Sequence, residues 1–225
     1  MGQSTTNHHT NTRATMKVEI WSDVMCPFCY IGKRKFEAAL AQFSRRDEVE
    51  IVWKSFQLNP ALQTDPGKSV QQSLAESKGW SMEQAGQAMA YVTQVARSVG
   101  LTYHFEKAVV ANSFDAHRFT HLAKTKARQN EAEEGLFAAY FTKGENTADP
   151  EILARIGADI GLDAGEVKQT LEGNDFAIAV RADMDEAREL GITGVPFFVF
   201  NRKYAVSGAQ DTSLFLEVLE KSVAD

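Results

Sequence analysis

Cysteine is scarce in this chain, with two residues among 225. Two thiols cannot form the disulfide framework of a small secreted scaffold. Basic charge is also short, because 24 Lys and Arg stand against 30 Asp and Glu, for a net charge of −6. An acidic chain gains nothing from phosphate neutralisation, so no nucleic-acid partner is expected. The densest charge cluster, Arg45-Arg46-Asp47-Glu48, mixes signs and reads as a solvated loop. No apolar run approaches the ~18–20 residues that span a bilayer, so no membrane association is expected. The first fifteen residues are mostly Ser, Thr, Asn, His and Ala, and lack the apolar core of a secretory signal. They read as a disordered tail over 1–15. The expected compartment is the cytoplasm.

Hydrophobic residues make up 44% of the chain, ample for a substantial core. Their pattern begins right after Met16. Lys17 to Trp21 reads as a strand, and helical spacing of Ile31, Phe36, Leu40 and Phe43 follows. Glu50 to Phe56 is a second strand. Asn59-Pro60 and Asp65-Pro66-Gly67 then supply turn chemistry. The middle is helical. Ser81-Met82-Glu83-Gln84 has the form of a capping box, and Gly100 stands where a terminating glycine would. Further helices are expected around Phe114–Leu122, Glu133–Phe141, after Asp149-Pro150, over Ala164–Glu172 and over Asn174–Leu190. The last part holds an apolar run from Gly194 to Phe200, a turn at Asn201-Arg202-Lys203, a returning strand at Tyr204–Val206 and a closing helix after Asp211. The order β-α-β, helices, then α-β-β-α predicts one α/β domain, 16–65 with 174–225, split by a helical domain over 66–173.

Cys26-Pro27-Phe28-Cys29 falls where the first strand hands over to the first helix. One helical turn brings both sulfurs within disulfide reach. A cysteine at a helix N-terminus faces free N–H groups and the positive end of the dipole, which favour the thiolate. Pro27 fits the first turn, where a missing N–H costs nothing. Cys26 is therefore expected to be the exposed, attacking thiol, and Cys29 the shielded, resolving one. Structural zinc needs four ligands, and only His117 and His121 could join the cysteines. They are expected at a helix surface or core edge, with no metal. Pro196 opens an apolar strand, where a residue without an N–H is tolerated, and Gly194 ahead of it permits unusual backbone angles.

The segment from Ile20 to Lys33 resembles the active-site region of the FrnE-like branch of the DsbA family. Four other segments are similar to that family in the same order: Phe56–Pro60, Asn112–Arg118, Gly191–Phe198 and Ala205–Gln210. The resemblance implies a thioredoxin fold (βαβ…αββα) interrupted by an all-helical domain. It implies a cis Pro196 facing the cysteine pair, with Gly194, Val195 and Pro196 as the substrate-binding stretch and the Val195 backbone open to strand addition. Two departures stand out. Phe28 occupies the second position between the cysteines, where the best-known DsbA enzymes carry His. The additional cysteine pair of some FrnE-like proteins is absent.

The expected function is thiol–disulfide exchange with protein or small-molecule thiols, glutathione among them, without a cofactor. Two alternatives differ in class. One is a glutathione-dependent isomerase or transferase of the 2-hydroxychromene-2-carboxylate isomerase or kappa type. Those proteins generally place Ser at the first cysteine position. The other is a non-catalytic, chaperone-like binding module.

Overall fold

The computed structural model describes residues 16–224, and the expected tail over 1–15 lies outside them. Strand β1, Met16–Ser22, carries Val18, Ile20 and Trp21, all fully buried. It runs parallel to β2, Val49–Ser55, with Val18 opposite Ile51 and Ile20 opposite Trp53. Between them lies helix α1, Pro27–Gln42, which buries Cys29, Ile31 and Phe36. This is the crossover that a parallel pair demands.

The chain returns to this sheet only near its end. The apolar run forms β5, Phe197–Phe200, antiparallel to β1 and paired with β6, Tyr204–Ser207. Strand order is β2-β1-β5-β6. Helix α9, Thr212–Ala224, packs on α1 and closes the aromatic core. There Phe198 lies 4.6 Å from Phe215 and 5.6 Å from Phe36, ring centre to ring centre. Tilted and edge-on contacts of this kind each add about 1 kcal/mol beyond burial.

Between β2 and β5 come α2 (Val70–Lys78), α3 (Met82–Ser98), α4 (Phe114–Thr125), α5 (Gln129–Phe137), α6 (Pro150–Asp159), α7 (Ala164–Glu172) and α8 (Ala177–Glu189). Several begin and end as the residues dictate. Ser81 and Gln84 form a reciprocal capping box on α3, and Asp149 caps α6 with Pro150 at its first position. Gly100 and Gly191 adopt positive φ after α3 and α8. Two features depart from the sequence reading. Asp65–Ser69 forms a short strand, β3, paired with β4, Val109–Val110, where only a turn was expected. Ala138–Lys143 continues α5 as a π-helical turn.

These helices are not a separate layer. Tyr30 of α1 stacks 5.0 Å from Phe137, and Tyr103 stacks 4.6 Å from Phe141. Glu134 of α5 accepts hydrogen bonds from Tyr30, Lys33 and Arg34 of α1. Burial raises this carboxyl, but those three partners outweigh it and hold it down at about 2. On the other side of the sheet, Asp183 of α8 takes Lys54 at 2.5 Å, His121 at 3.0 Å and the Ser55 N–H at 2.9 Å.

Candidate active site

β1 ends at Ser22, and the chain turns through Asp23, Val24 and Met25. The Cys26 N–H closes this turn on the Asp23 carbonyl at 3.0 Å. Cys26 is the N-cap of α1, with φ −86° and ψ 111°, and Pro27 takes the first helical position. The Cys29 N–H donates to the Cys26 carbonyl at 3.0 Å, so the two cysteines share the first turn. The Cys26 Sγ points at the Val195 carbonyl oxygen, 3.5 Å away. The Val195–Pro196 peptide is cis, and Pro196 is buried. Cys26, Cys29, Val195 and Pro196 thus meet at one end of the sheet. Gly194 sits in the loop just before, half-buried, and is not among the glycines with positive φ.

Burial corrects one expectation. Cys26 is only 5% exposed and Cys29 1%, so neither thiol is open to solvent. Cys26 is covered because the Val195 backbone lies across it. Tyr103, whose hydroxyl donates to the Pro27 carbonyl at 2.7 Å, stands beside both thiols. Burial pushes the Cys29 thiol well above its ordinary pKa, and the neighbouring Cys26 adds to this. The Ser22 hydroxyl and the Asp23 backbone pull the other way without prevailing. Phe28 is exposed beside the pair. A groove of about 400 Å³ opens along the motif, lined by Met25, Pro27, Leu58, Leu62, Leu74 and Tyr140.

Sequence reasoning missed Asp23 and Glu133 as members of this neighbourhood, and it expected His117 at a helix surface or core edge, whereas His117 is only 1% exposed. Asp23 is fully buried directly under the motif, and His117 of α4 reaches it at 3.4 Å. Glu133 of α5 is 2% exposed. His117 and His121 both lie where α4 meets the end of β2, against Phe56 and Ser55. A polar residue between Trp21 and the cysteines, with a histidine in the Asn112–Arg118 segment, was the available signal.

The model of the DSBA-like thioredoxin domain matches residues 17–220. The uncharacterized protein YwbO of Bacillus subtilis is 28% identical over 213 residues, covering 94% of this chain and 97% of that protein. Among solved structures, a probable DsbA oxidoreductase of Streptomyces coelicolor is 40% identical with a TM-score of 0.87, covering 93% of this chain and 91% of its own. The cytosolic disulfide reductase DsbM of Pseudomonas aeruginosa, solved with GSH, shares the fold at 15% identity and a TM-score of 0.67, covering 93% and 100%. The family match takes in nearly every described residue, and the chain belongs to the DSBA-like thioredoxin domain family.

Proposed function

We propose that the protein is a thiol–disulfide oxidoreductase in which Cys26 attacks and Cys29 resolves. The observation that carries this reading is the placement of both thiols in the first turn of α1, with Cys26 at the N-cap against the Val195 carbonyl. Cys26, at the helix N-terminus with free N–H groups ahead of it, reacts as its thiolate. That thiolate attacks a substrate disulfide and forms a mixed disulfide, releasing one substrate thiolate. Cys29 then attacks the Cys26 sulfur, closing the internal disulfide and releasing the second thiolate. Running backwards, the same steps oxidise a dithiol.

Because both thiols are nearly buried, a substrate must approach along the protein surface. An extended polypeptide laid beside Gly194, Val195 and Pro196 brings its cysteine to Cys26 by strand addition. The apolar groove beside Pro27 and the exposed Phe28 suit the flanking side chains. A small thiol such as glutathione reaches the same sulfur. The resemblance carried by Ile20–Lys33 and the four segments after it favours the FrnE-like branch of the family.

The experiment is a trapping comparison. Cys29→Ser keeps the attacking thiol but loses the resolving one, so it accumulates mixed disulfides with glutathione and cellular proteins. Cys26→Ser accumulates few. Non-reducing gels and mass spectrometry read the adducts. Full exchange activity in either variant would overturn the reading.

A further inference from the structure

The helical insertion reaches the cysteine motif through one side chain. Tyr103 lies between α3 and β4 and is 5% exposed. Its hydroxyl donates to the Pro27 carbonyl at 2.7 Å. That carbonyl belongs to the peptide bond midway between Cys26 and Cys29. Among the described residues, no other side chain of the insertion is hydrogen-bonded to the Cys26–Cys29 segment.

The loop that carries Tyr103 is clamped on both sides of it. The Thr142 hydroxyl donates to the Thr102 carbonyl at 2.9 Å, and the His104 N–H donates to the Phe141 carbonyl at 2.7 Å. Both partners belong to the π-helical turn Ala138–Lys143. Just beyond that turn, Gly144 has φ +71°, and a Cβ there would stand 2.7 Å from the Lys107 carbonyl oxygen. Only glycine lets the two segments pass so closely. The Tyr103 ring is fixed as well. It stacks 4.6 Å from Phe141 and meets Phe105 edge-on at 5.6 Å, ring centre to ring centre. A π-turn interrupts an otherwise regular helix and often marks a functional place. What this one holds is the tyrosine that touches the redox motif.

The hydroxyl is a permanent donor. Burial, then the nearness of Cys26, Tyr30 and Cys29, pushes the Tyr103 phenol far above its ordinary value. It keeps its hydrogen throughout the working pH range.

We propose that Tyr103 is a positioning residue that pins the Cys26–Cys29 turn in the reduced protein, so that Cys29 is held in place to close the disulfide. The inference rests on the oxidoreductase reading above. In the oxidised protein the disulfide itself fixes the turn. In the reduced protein that link is gone, and the hydrogen bond to Pro27 restrains the turn in its stead. Ordering the reduced turn in advance removes part of the entropy that closure otherwise loses. The effective concentration of Cys29 at the Cys26 sulfur rises accordingly.

With glutathione as the substrate, the step balances as follows. The Cys29 sulfur bonds to the Cys26 sulfur as the Cys26–glutathione bond breaks. The glutathione sulfur is reduced and the Cys29 sulfur is oxidised. The Cys29 proton ends on the glutathione thiolate that leaves. Tyr103 takes part in neither bond and acts only through the backbone between the two cysteines.

The test measures the effective concentration in the full chain. Reduced protein is equilibrated with mixtures of glutathione and glutathione disulfide, quenched with acid and read by mass spectrometry. The ratio of internal disulfide to glutathione adduct, multiplied by the free glutathione concentration, gives the value for Cys29. Tyr103→Phe keeps the ring and loses only the hydroxyl. In that variant the value falls by roughly fivefold, about the weight of one neutral hydrogen bond. Thr142→Val leaves Tyr103 intact but releases the Thr102 carbonyl, and it lowers the value in the same direction. A tyrosine that served packing alone would lower the melting temperature on substitution and leave the ratio unchanged. A parent-like ratio in folded Tyr103→Phe therefore overturns the inference. Should thermal unfolding show that variant to be unfolded, a parent-like ratio in Thr142→Val overturns it instead. Either result leaves the exchange reading intact. A parent that forms neither adduct nor internal disulfide overturns both.

Discussion

Gly32 is the point at which α1 rests on Pro196. A Cβ on Gly32 would stand 2.9 Å from Pro196 Cγ, 3.4 Å from Phe198 Cζ and 3.5 Å from Ala209 Cβ. The missing side chain sets how closely the helix bearing both cysteines approaches the loop bearing Val195. The 3.5 Å approach of Cys26 Sγ to the Val195 carbonyl depends on that spacing.

Gly32→Ala should therefore act on two levels. Alanine gains up to about 1 kcal/mol of helix propensity. Forcing a methyl against a proline ring in a packed core costs roughly 1–3 kcal/mol. The contact wins, and the variant loses about 1 kcal/mol in denaturant unfolding. The helix must also back away from Val195, so thiol–disulfide exchange slows. A variant more stable than the parent with unchanged exchange would show that the proline ring gives way freely.

Reactivity of the two thiols separates them as surface area does not. Burial and the neighbouring sulfur raise the Cys29 thiol, and burial persists when Cys26 is replaced. In Cys26→Ser, iodoacetamide should modify Cys29 slowly at pH 8, with no plateau reached by pH 9. Cys29→Ser should react faster across that range, because Cys26 sits at the N-terminus of α1. Quench-flow alkylation with mass detection checks this. Equal rates in the two variants would remove the division of labour.

Much of this site could be read along the chain, because its parts are local. The Cys26–Cys29 spacing, Pro27 at the first helical position and the apolar run into β5 each announce themselves within a few residues. What stayed hidden depends on distant partners. β3 contains Pro66 and Gly67, which read as a turn, and becomes a strand only by pairing with Val109 and Val110. Glu133 and His117 fall on ordinary amphipathic helices, where a single polar residue is normally solvated. Only packing against the Asp23 turn buries them. Cys26 looked exposed for the same reason, since what covers it is the Val195 backbone and Tyr103 from far along the chain.

Phe28 offers a lever on the redox poise. It is exposed beside the cysteines and carries no charge. Phe28→His puts a protonatable ring near the Cys26 sulfur. A positive neighbour favours the thiolate, and so the reduced form of the pair. The reduction potential should rise by about 30 mV, corresponding to ~1.4 kcal/mol. Equilibration with glutathione, read by mass spectrometry, gives the number. An unchanged or lower potential would mean that the new ring does not reach the thiolate.

The last prediction concerns stability and the buried acid Glu133. Its ordinary value is 4.5, and the fold lifts it to about 7. The folded protein then holds this proton more tightly than the unfolded chain does. The resulting stability is fully present below about pH 4.5 and is lost as pH rises through 7. Above 7 a carboxylate sits buried with one unpartnered oxygen, facing His117, Lys33 and Asp23. Glu133→Gln cannot ionise and escapes that loss. Other groups titrate alike in both proteins, so the informative quantity is the difference in Tm between them. At pH 5 the two should nearly coincide. By pH 8 the variant should be the more stable by a few degrees, given ~2–4 °C per kcal/mol for a chain of this size. Calorimetry of both proteins at pH 5, 6, 7 and 8 reads the difference directly. A flat difference across that range would show that Glu133 titrates as an ordinary surface carboxylate and holds no proton near neutrality.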